Sequence, residues 1–198
     1  MHSDSSILAA IFKNHIEKLI GSVMNSWIHL QELCEVRYIK KNQIFIKEGQ
    51  VNKNEIFLAE GIFRVYLRDS SGDAINIAFC SGPQVVAPYF TRNSNDLHLT
   101  NFQAIVPCSL LIFDSQKFSN LIRQYPDIRL FAYTVLETEM KFKTRKEKCF
   151  VTRPAIDRLQ FFRENYPGLE NNIPQHHIAS FIGVPPASLS RLRRLKGR

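Results

Sequence analysis

The sequence predicts an α+β protein with helices at both ends and an antiparallel β-domain between them. Three observations lead to this prediction: apolar residues at helical spacing before residue 34, short alternating strands over about residues 35–113, and helical patterns again after residue 114. The chain has 198 residues, of which 44% are hydrophobic and 22% are charged. This length and composition fit one or two globular domains and exclude a mainly disordered, collagen-like or disulfide-stapled chain.

The first part of the chain is predicted to be helical. Apolar residues recur at helical spacing from Ile7 to Ile20, and a second stretch places four apolar residues on one face: Val23, Trp27, Leu30 and Leu33. We expect both stripes to be core. Residues 1–6 are polar and lead into an amphipathic pattern, and no run reaches about 18 apolar residues, so we expect a cytoplasmic protein without a membrane partner.

The middle part, about residues 35–113, is predicted to be β-rich. Seven segments have strand patterns: 36–40, 44–46, 56–58, 62–67, 74–79, 102–105 and 109–113. Gly72 lies in a polar run, 69–73, that is typical of a hairpin turn because glycine supplies the positive φ that such turns need. Short strands at this spacing predict an antiparallel sandwich or jelly roll.

The last part is predicted to be helical again. Asp114 or Ser115 can cap a short helix through Ile122, and Pro126 opens a long helix to about Cys149. The long helix carries an apolar stripe: Ile128, Phe131, Val135 and Phe142, widened by Leu130, Leu136 and Met140. Such a stripe needs a partner, which is a parallel helix of a second subunit, the chain's own β-domain, or both. A further helix is expected from Ala155 to about Asn165.

Residues 175–194 have the pattern of two short helices that meet at Gly183. A helix-turn-helix needs a small residue where the helices cross and a turn residue four positions later, and Ala179 and Gly183 meet these needs. Five apolar residues fall where the angle between the helices must be sealed: Ile178, Ile182, Val184, Leu189 and Leu192. Pro185 or Pro186 fits the first turn of the second helix. The segment is therefore predicted to be a helix-turn-helix.

The charge of the chain is unevenly distributed. Residues 1–140 hold 13 basic and 14 acidic side chains, whereas residues 141–198 hold 13 basic and 4 acidic ones. All of the net charge of +8 therefore belongs to the last third of the chain. A basic module joined to a near-neutral body indicates a polyanionic partner, most often nucleic acid. A solvated face or a face that meets an anionic membrane surface has the same composition.

The helix-turn-helix geometry assigns roles to side chains of the second helix. Ser188 and Arg191 point outward if Leu189 and Leu192 point inward, so they are candidate base readers, and the later basic residues are better placed for phosphates. The full set of expected DNA contacts is Gln175, His176, Ser188, Ser190, Arg191, Arg193, Arg194 and Lys196. The alternative is a plain helical hairpin that docks a protein partner.

Two segments of the β-region resemble a known family. Residues 41–49 (KNQIFIKEG) and residues 60–66 (EGIFRVY) are similar to strand motifs of the Crp/Fnr family of bacterial transcription regulators. The resemblance implies a cyclic-nucleotide-binding-like sensor domain with a double-stranded β-helix (jelly roll) over residues 1–148, including a dimerisation helix at about 126–149. It implies a helix-turn-helix DNA-binding domain over 149–198, action as a homodimer on double-stranded DNA, and RNA polymerase as a further candidate partner.

The chain also departs from the family pattern. Where cyclic-nucleotide binders of the family carry a glutamate for the ribose and an arginine for the phosphate, this chain has Ala87-Pro88 and His98-Leu99-Thr100, so we expect no binding of cyclic AMP. The expected pocket for an unidentified small-molecule effector comprises Arg64, Ala87, Pro88, Arg92, His98 and Thr100. Residues 185–191 differ from the family's base-reading sequence, which predicts a different DNA site. We also expect a helix-turn-helix that lacks the β-hairpin wing usual in the family.

Metal and enzymatic chemistry are not indicated. Cys34, Cys80, Cys108 and Cys149 lie far apart, and among the histidines only His98 falls in the β-region. Zinc, iron–sulfur and jelly-roll metalloenzyme sites all need closely clustered ligands. We therefore expect no metal, no cofactor and no enzymatic activity.

Overall fold

The computed structural model describes residues 5–86, 93 and 95–195, and within them the chain forms seven α-helices and eight strands. The helices are α1 (Ser5–Ile20), α2 (Trp27–Gln31), α3 (Ser115–Gln124), α4 (Pro126–Thr152), α5 (Ala155–Asn165), α6 (Gln175–Ile182) and α7 (Pro186–Leu195). The strands are β1 (Glu35–Ile39), β2 (Ile44–Ile46), β3 (Asn54–Glu60), β4 (Ile62–Arg68), β5 (Ala74–Ser81), β6 (Gln84–Val86), β7 (Asn101–Ala104) and β8 (Cys108–Asp114).

The strands form two four-stranded sheets, with the orders β1-β8-β3-β6 and β2-β7-β4-β5. The pairs β1/β8, β3/β8, β3/β6 and β2/β7 are antiparallel. The register sets Ile56 opposite Ile112 and Leu58 opposite Leu110, so buried side chains face one another across the β3/β8 pair. The predicted α+β class and antiparallel sandwich are confirmed.

The expected elements and the observed ones differ at two places. Strand β6 was not predicted, because three residues after Pro83 are too few to display an alternating pattern. The second helical stretch shortens to the five residues of α2, and Val23, which we expected in the core, is 66% exposed. Val23 precedes α2 in an irregular connection, so helical spacing does not set its direction.

The chain divides into two compact units. Unit 1 consists of Met1–Arg64 and Cys80–Thr138, and unit 2 consists of Val65–Phe79 and Glu139–Arg198. The expected domain boundary at residues 148/149 stays a prediction. The compact units divide the chain at other places, after residues 64, 79 and 138. In particular, the hairpin between β4 and β5 belongs to the same unit as the C-terminal helices.

Unit 1 has an aromatic core around Phe12 of α1. The Phe12 ring stacks on Phe57 at 4.2 Å between centroids, and it also contacts Phe113 and Phe131. Phe131 brings α4 into this core, so one face of α4 packs against the chain's own β-sandwich. The other side of α4 exposes large apolar residues, among them Leu130, Tyr133, Leu136 and Met140.

Unit 2 has a second aromatic core. Phe79 of β5 lies within 5.7 Å, between ring centroids, of Phe162, Tyr166 and Phe181. Phe162 and Phe181 belong to α5 and α6, and both are buried. A strand residue thus completes the core under the C-terminal helices.

Candidate nucleic-acid interface

Helices α6 and α7, with the turn 183–185 between them, are named here the C-terminal helix pair. Helix α6 ends at Gly183, whose φ of 70° lies in the left-handed region that favours glycine. Val184 N–H donates to Ala179 C=O at 3.0 Å and Gly183 N–H donates to Ser180 C=O at 3.3 Å. These two bonds close a Schellman motif, which satisfies carbonyls that the helix end would leave free and sets the direction of the next segment.

Helix α7 begins at two prolines. The Pro185 carbonyl accepts from Ser188 N–H at 3.0 Å and from Leu189 N–H at 3.2 Å, so it starts the helical hydrogen-bond ladder. Pro186 occupies the first helical position, where its missing N–H costs nothing. The predicted turn at Gly183 and the predicted role of the prolines therefore have a consistent local geometry.

The two faces of α7 differ sharply. Leu189 is 1% exposed and Leu192 is half-buried, as the helix-turn-helix pattern requires of inward residues. Ser190, Arg191 and Arg194 are exposed, whereas Ser188 is half-buried. The expected phosphate contact Lys196 lies outside the described residues.

One arginine of α7 is held by an internal ion pair. Arg193 Nε lies 2.9 Å from Glu170 Oε1, and Arg163 binds the same carboxylate at 2.7 and 3.0 Å. Hydrogen bonding from Arg163, reinforced by the charge of Arg193, lowers the pKa of Glu170. Arg191 and Arg194 form no salt bridge to any described residue, so their charges are available to a ligand.

Two predicted contacts lie at the start of α6. Gln175 donates its side-chain amide to the Glu170 carbonyl at 3.3 Å, which ties it to the same network. His176 is exposed, and its ring centroid lies 4.1 Å from that of His177. Among the predicted residues, Arg191, Arg194, Ser190 and His176 therefore present accessible side chains.

Sequence reasoning missed two residues of unit 2 that organise this surface. Glu170 restrains Arg193, and Asn76 of β5 hydrogen-bonds to α6. Both lie outside the helix-turn-helix pattern. Asparagine is depleted in strands, so its place in the β5 pattern was a signal that this position has a polar task.

The expected effector residues are only partly described. Ala87, Pro88 and Arg92 lie outside the described residues. Arg64 is half-buried and donates from Nε to Gln103 Oε1 at 2.9 Å. His98 and Thr100 are buried, and the Thr100 hydroxyl has no hydrogen-bond partner among the described residues.

A separate cavity of about 560 Å³ lies in unit 1. Its walls come from strands and from the helices α3 and α4, and they include Val85, Phe113, Ile122, Phe131 and Val135. The volume falls in the range of small-molecule sites. No described residue of the expected effector pocket lines it.

The β-sandwich matches a known family. Residues 36–125 match the cyclic nucleotide-binding domain. This range takes in the eight strands, from the second residue of β1, and α3. Over these residues the chain is therefore similar to a cyclic nucleotide-binding domain.

Three solved structures extend the similarity beyond this domain. FixK2 from Bradyrhizobium japonicum has a TM-score of 0.70 and 13% identity, over 82% of this chain and 83% of that chain. The c-di-GMP responsive global regulator CLP of Xanthomonas campestris has a TM-score of 0.68 and 11% identity, over 86% and 90%. A CooA mutant from Carboxydothermus hydrogenoformans has a TM-score of 0.66 and 16% identity, over 90% and 82%.

At 11 to 16% identity, the likeness to these three structures is a likeness of fold. No curated protein sequence matches the chain significantly. No helix among the described residues is long and apolar enough to cross a membrane. Within the same residues, no group of three or more histidine, cysteine, aspartate or glutamate side chains is placed to hold a metal ion.

Proposed function

We propose that the protein is a sequence-specific DNA-binding transcription regulator that acts as a homodimer. In this proposal the C-terminal helix pair is a helix-turn-helix whose second helix, α7, enters the major groove. The observation that carries the proposal is the contrast on α7 between buried Leu189 and the exposed Arg191 and Arg194, which form no salt bridge with another described residue. The basic excess of residues 141–198 supplies the field that attracts a polyanion.

The arginines of α7 have different proposed roles. Arg191 reads a base edge, because arginine forms two hydrogen bonds with guanine in the major groove. Arg194 binds a phosphate, a contact that adds affinity for every sequence. Arg193 contributes less, since Glu170 already neutralises it. Ser188, Ser190, Gln175, His176 and Lys196 remain proposed DNA contacts.

The homodimer is proposed to form along α4. Its 27 residues make a helix about 40 Å long, and four exposed apolar residues recur along it at steps of three and four: Leu130, Tyr133, Leu136 and Met140. Large apolar side chains that repeat along an exposed helix face are typical of a helix–helix interface. Two-fold symmetry would then place the DNA half-sites about 34 Å apart.

The sensor role is proposed without cyclic AMP. An unidentified small-molecule effector would bind near His98 and Thr100, where the buried Thr100 hydroxyl supplies a donor and acceptor that no described residue uses. Transcription regulation places the protein in the cytoplasm, with RNA polymerase as a candidate partner. No catalytic activity is proposed.

The test is a selection from randomised duplexes with the full chain at near-physiological salt. The proposal expects an enriched site with two-fold symmetry, since a dimer presents two equivalent reading helices. Binding that requires low salt and enriches no sequence would contradict base reading. It would favour the alternative, in which the C-terminal helix pair docks a protein partner.

Single substitutions separate the proposed roles. Arg191→Ala should relax the preference at one position of each half-site, at a cost of about 1–3 kcal/mol for the preferred base. Arg194→Ala should weaken binding to matched and scrambled duplexes equally and reduce the salt slope by about 1. Arg153→Ala is the matched control, because it removes an exposed arginine of the same unit outside the C-terminal helix pair.

The dimer has its own test. Tyr133→Glu places a charge at Tyr133, which is 65% exposed and is the most exposed of the four apolar residues of the proposed interface. Sedimentation should report monomers, with a folded β-sandwich by circular dichroism. Arg129→Glu, also exposed on α4, is the control for adding an acidic side chain to this helix. A dimer of unchanged affinity in Tyr133→Glu would show that α4 is not the interface.

A further inference from the structure

Strand β5 joins the C-terminal helix pair through a set of hydrogen bonds inside unit 2. Asn76 N–H donates to Ser180 Oγ at 3.0 Å, and Ser180 Oγ donates to the Ala74 carbonyl at 3.0 Å. The Asn76 side-chain amide donates to the His177 carbonyl at 3.0 Å and lies 3.4 Å from His177 Nδ1. We name these four residues, Ala74, Asn76, His177 and Ser180, the strand–helix latch.

The latch follows from the geometry of its two elements. Residues i and i+2 of a strand face the same side, and residues i and i+3 of a helix lie on one face. Ala74 and Asn76 therefore meet His177 and Ser180 as one edge against one face. Asn76 is only 2% exposed, so these hydrogen bonds are shielded from water.

Apolar and cationic contacts reinforce the latch. Phe79, farther along β5, contacts Phe181 of α6, with 5.5 Å between ring centroids. Lys146 of α4 donates its amine to the Ile77 carbonyl and lies 5.2 Å from the centre of the Phe181 ring. The strand is thus held to α6 along its length from Ala74 to Phe79.

We infer that Asn76 is a positioning residue for DNA reading: the latch makes β5 part of the reading unit and fixes the orientation of α6, on which α7 packs. The inference deepens the proposed DNA-binding function and rests on it. Asn76 touches no base in this arrangement. Its effect passes through α6, which is in contact with α7. Ala179 and Ile182 of α6 and Leu189 of α7 are all buried.

The latch also has a place in the connectivity of the chain. Strand β5 continues without a break to Ser81, and its last two residues, Cys80 and Ser81, belong to unit 1. The latch therefore lies on the part of β5 that belongs to unit 2.

The test compares Asn76→Ala and Ser180→Ala with Asn172→Ala in the full chain. Asn172 is the matched control, because it is an exposed asparagine of unit 2 whose amide bonds only locally, to the Gly168 carbonyl. The first measurement is hydrogen exchange of the α6 amides. Both latch variants should accelerate this exchange about tenfold, because each of them removes buried hydrogen bonds between β5 and α6. Asn172→Ala should leave the exchange unchanged.

The second measurement is DNA binding by the same variants. The latch variants should lose affinity several-fold and keep the sequence preference of the unchanged protein, in contrast to Arg191→Ala. Thermal unfolding with Trp27 fluorescence, a signal from unit 1, identifies any variant that is globally misfolded. The Ser180→Thr variant, which keeps a hydroxyl, should show a smaller increase in α6 exchange and a smaller loss of DNA affinity than Ser180→Ala.

The outcomes separate the inference from the proposed function. Unchanged α6 exchange in both latch variants would overturn the inference, whatever the protein binds. Faster exchange with unchanged DNA affinity would also overturn it, because α6 would then not need the latch to read DNA. A protein that binds no duplex specifically would remove the proposed function, and with it the positioning role, while the exchange data would still report the latch.

Discussion

The two units of the molecule are stabilised in different ways. Unit 1 has a mainly apolar core, in which α1 lays Phe12 against Phe57, Phe113 and Phe131. Unit 2 combines an aromatic core with buried hydrogen bonds and a shared carboxylate, and it is assembled from two chain segments that lie far apart in the sequence. Apolar packing tolerates small shifts of position, whereas hydrogen bonds and ion pairs specify direction. The unit with the proposed reading helices therefore adds directional contacts between its two chain segments to its aromatic core.

The largest effect is expected from Phe12→Ala in unit 1. Phe12 is fully buried and contacts four aromatic rings, so its loss should reduce the free energy of unfolding by about 4 kcal/mol. Denaturant titration followed by Trp27 fluorescence measures this change. Ile7→Ala, on the exposed side of the same helix, should change it by less than about 0.5 kcal/mol.

A somewhat smaller effect is expected from Phe79→Ala in unit 2. It leaves a cavity beside Phe162, Tyr166 and Phe181 and should destabilise this unit by about 3 kcal/mol. Hydrogen exchange of α5 and α6 should accelerate, while the denaturation midpoint reported by Trp27 should change much less. An equal loss of stability in both units would show that the molecule unfolds as one cooperative body, which would contradict the expected difference between the units.

The shared carboxylate should have an effect of about 1 kcal/mol on the stability of unit 2. The pKa of Glu170 is lowered in the folded protein, so its ion pairs stabilise the fold above the unfolded pKa of about 4.3 and lose this contribution as the pH falls through the folded pKa. Glu170→Gln should remove that acid dependence. Because it also releases Arg193, the salt slope of DNA binding should steepen by about 1. An unchanged slope in a titration from low to high salt would show that Arg193 does not reach phosphate.

A further pH dependence concerns Lys146. Burial, with the nearby charge of Lys143, lowers its pKa to about 8, against the opposing effect of Glu139. Between about pH 8 and pH 10 the unfolded chain binds more protons at this site than the folded chain, so the stability of unit 2 should rise with pH. Lys146→Met should flatten this slope in thermal unfolding across that range. A slope that persists in the variant would assign it to another group.

Local patterns in the sequence predicted most of the architecture. The long α4, the turn at Gly183 and the inward direction of Leu189 follow from periodicity, capping and backbone preferences, which act over a few residues. Strand β6 was not predicted because its three residues are too few to show an alternating pattern. The exposure of Val23 was not predicted because this residue lies outside regular secondary structure.

The candidate site was predictable only in part. The exposed positions of Arg191 and Arg194 follow from the same helical period that buries Leu189. The half-burial of Ser188 does not follow from this period. The ion pair between Arg193 and Glu170 does not follow from it either, because Glu170 lies 23 positions before Arg193 and approaches it only in the folded chain. The cavity in unit 1 is lined by residues of distant chain segments, such as Val85 and Val135, so no local sequence pattern predicts it.

The sequence by itself determined the α+β class, the order of the elements, the basic C-terminal third and the pattern of the C-terminal helix pair, since these depend on composition and on contacts between near neighbours. Only the tertiary structure decided which basic side chains are neutralised, which face of α4 is exposed, and that Ala74 and Asn76 belong with α6. Each of these depends on groups more than twenty residues apart. Chain-local propensities carry no information about such pairs, and they become neighbours only when apolar burial brings the segments together.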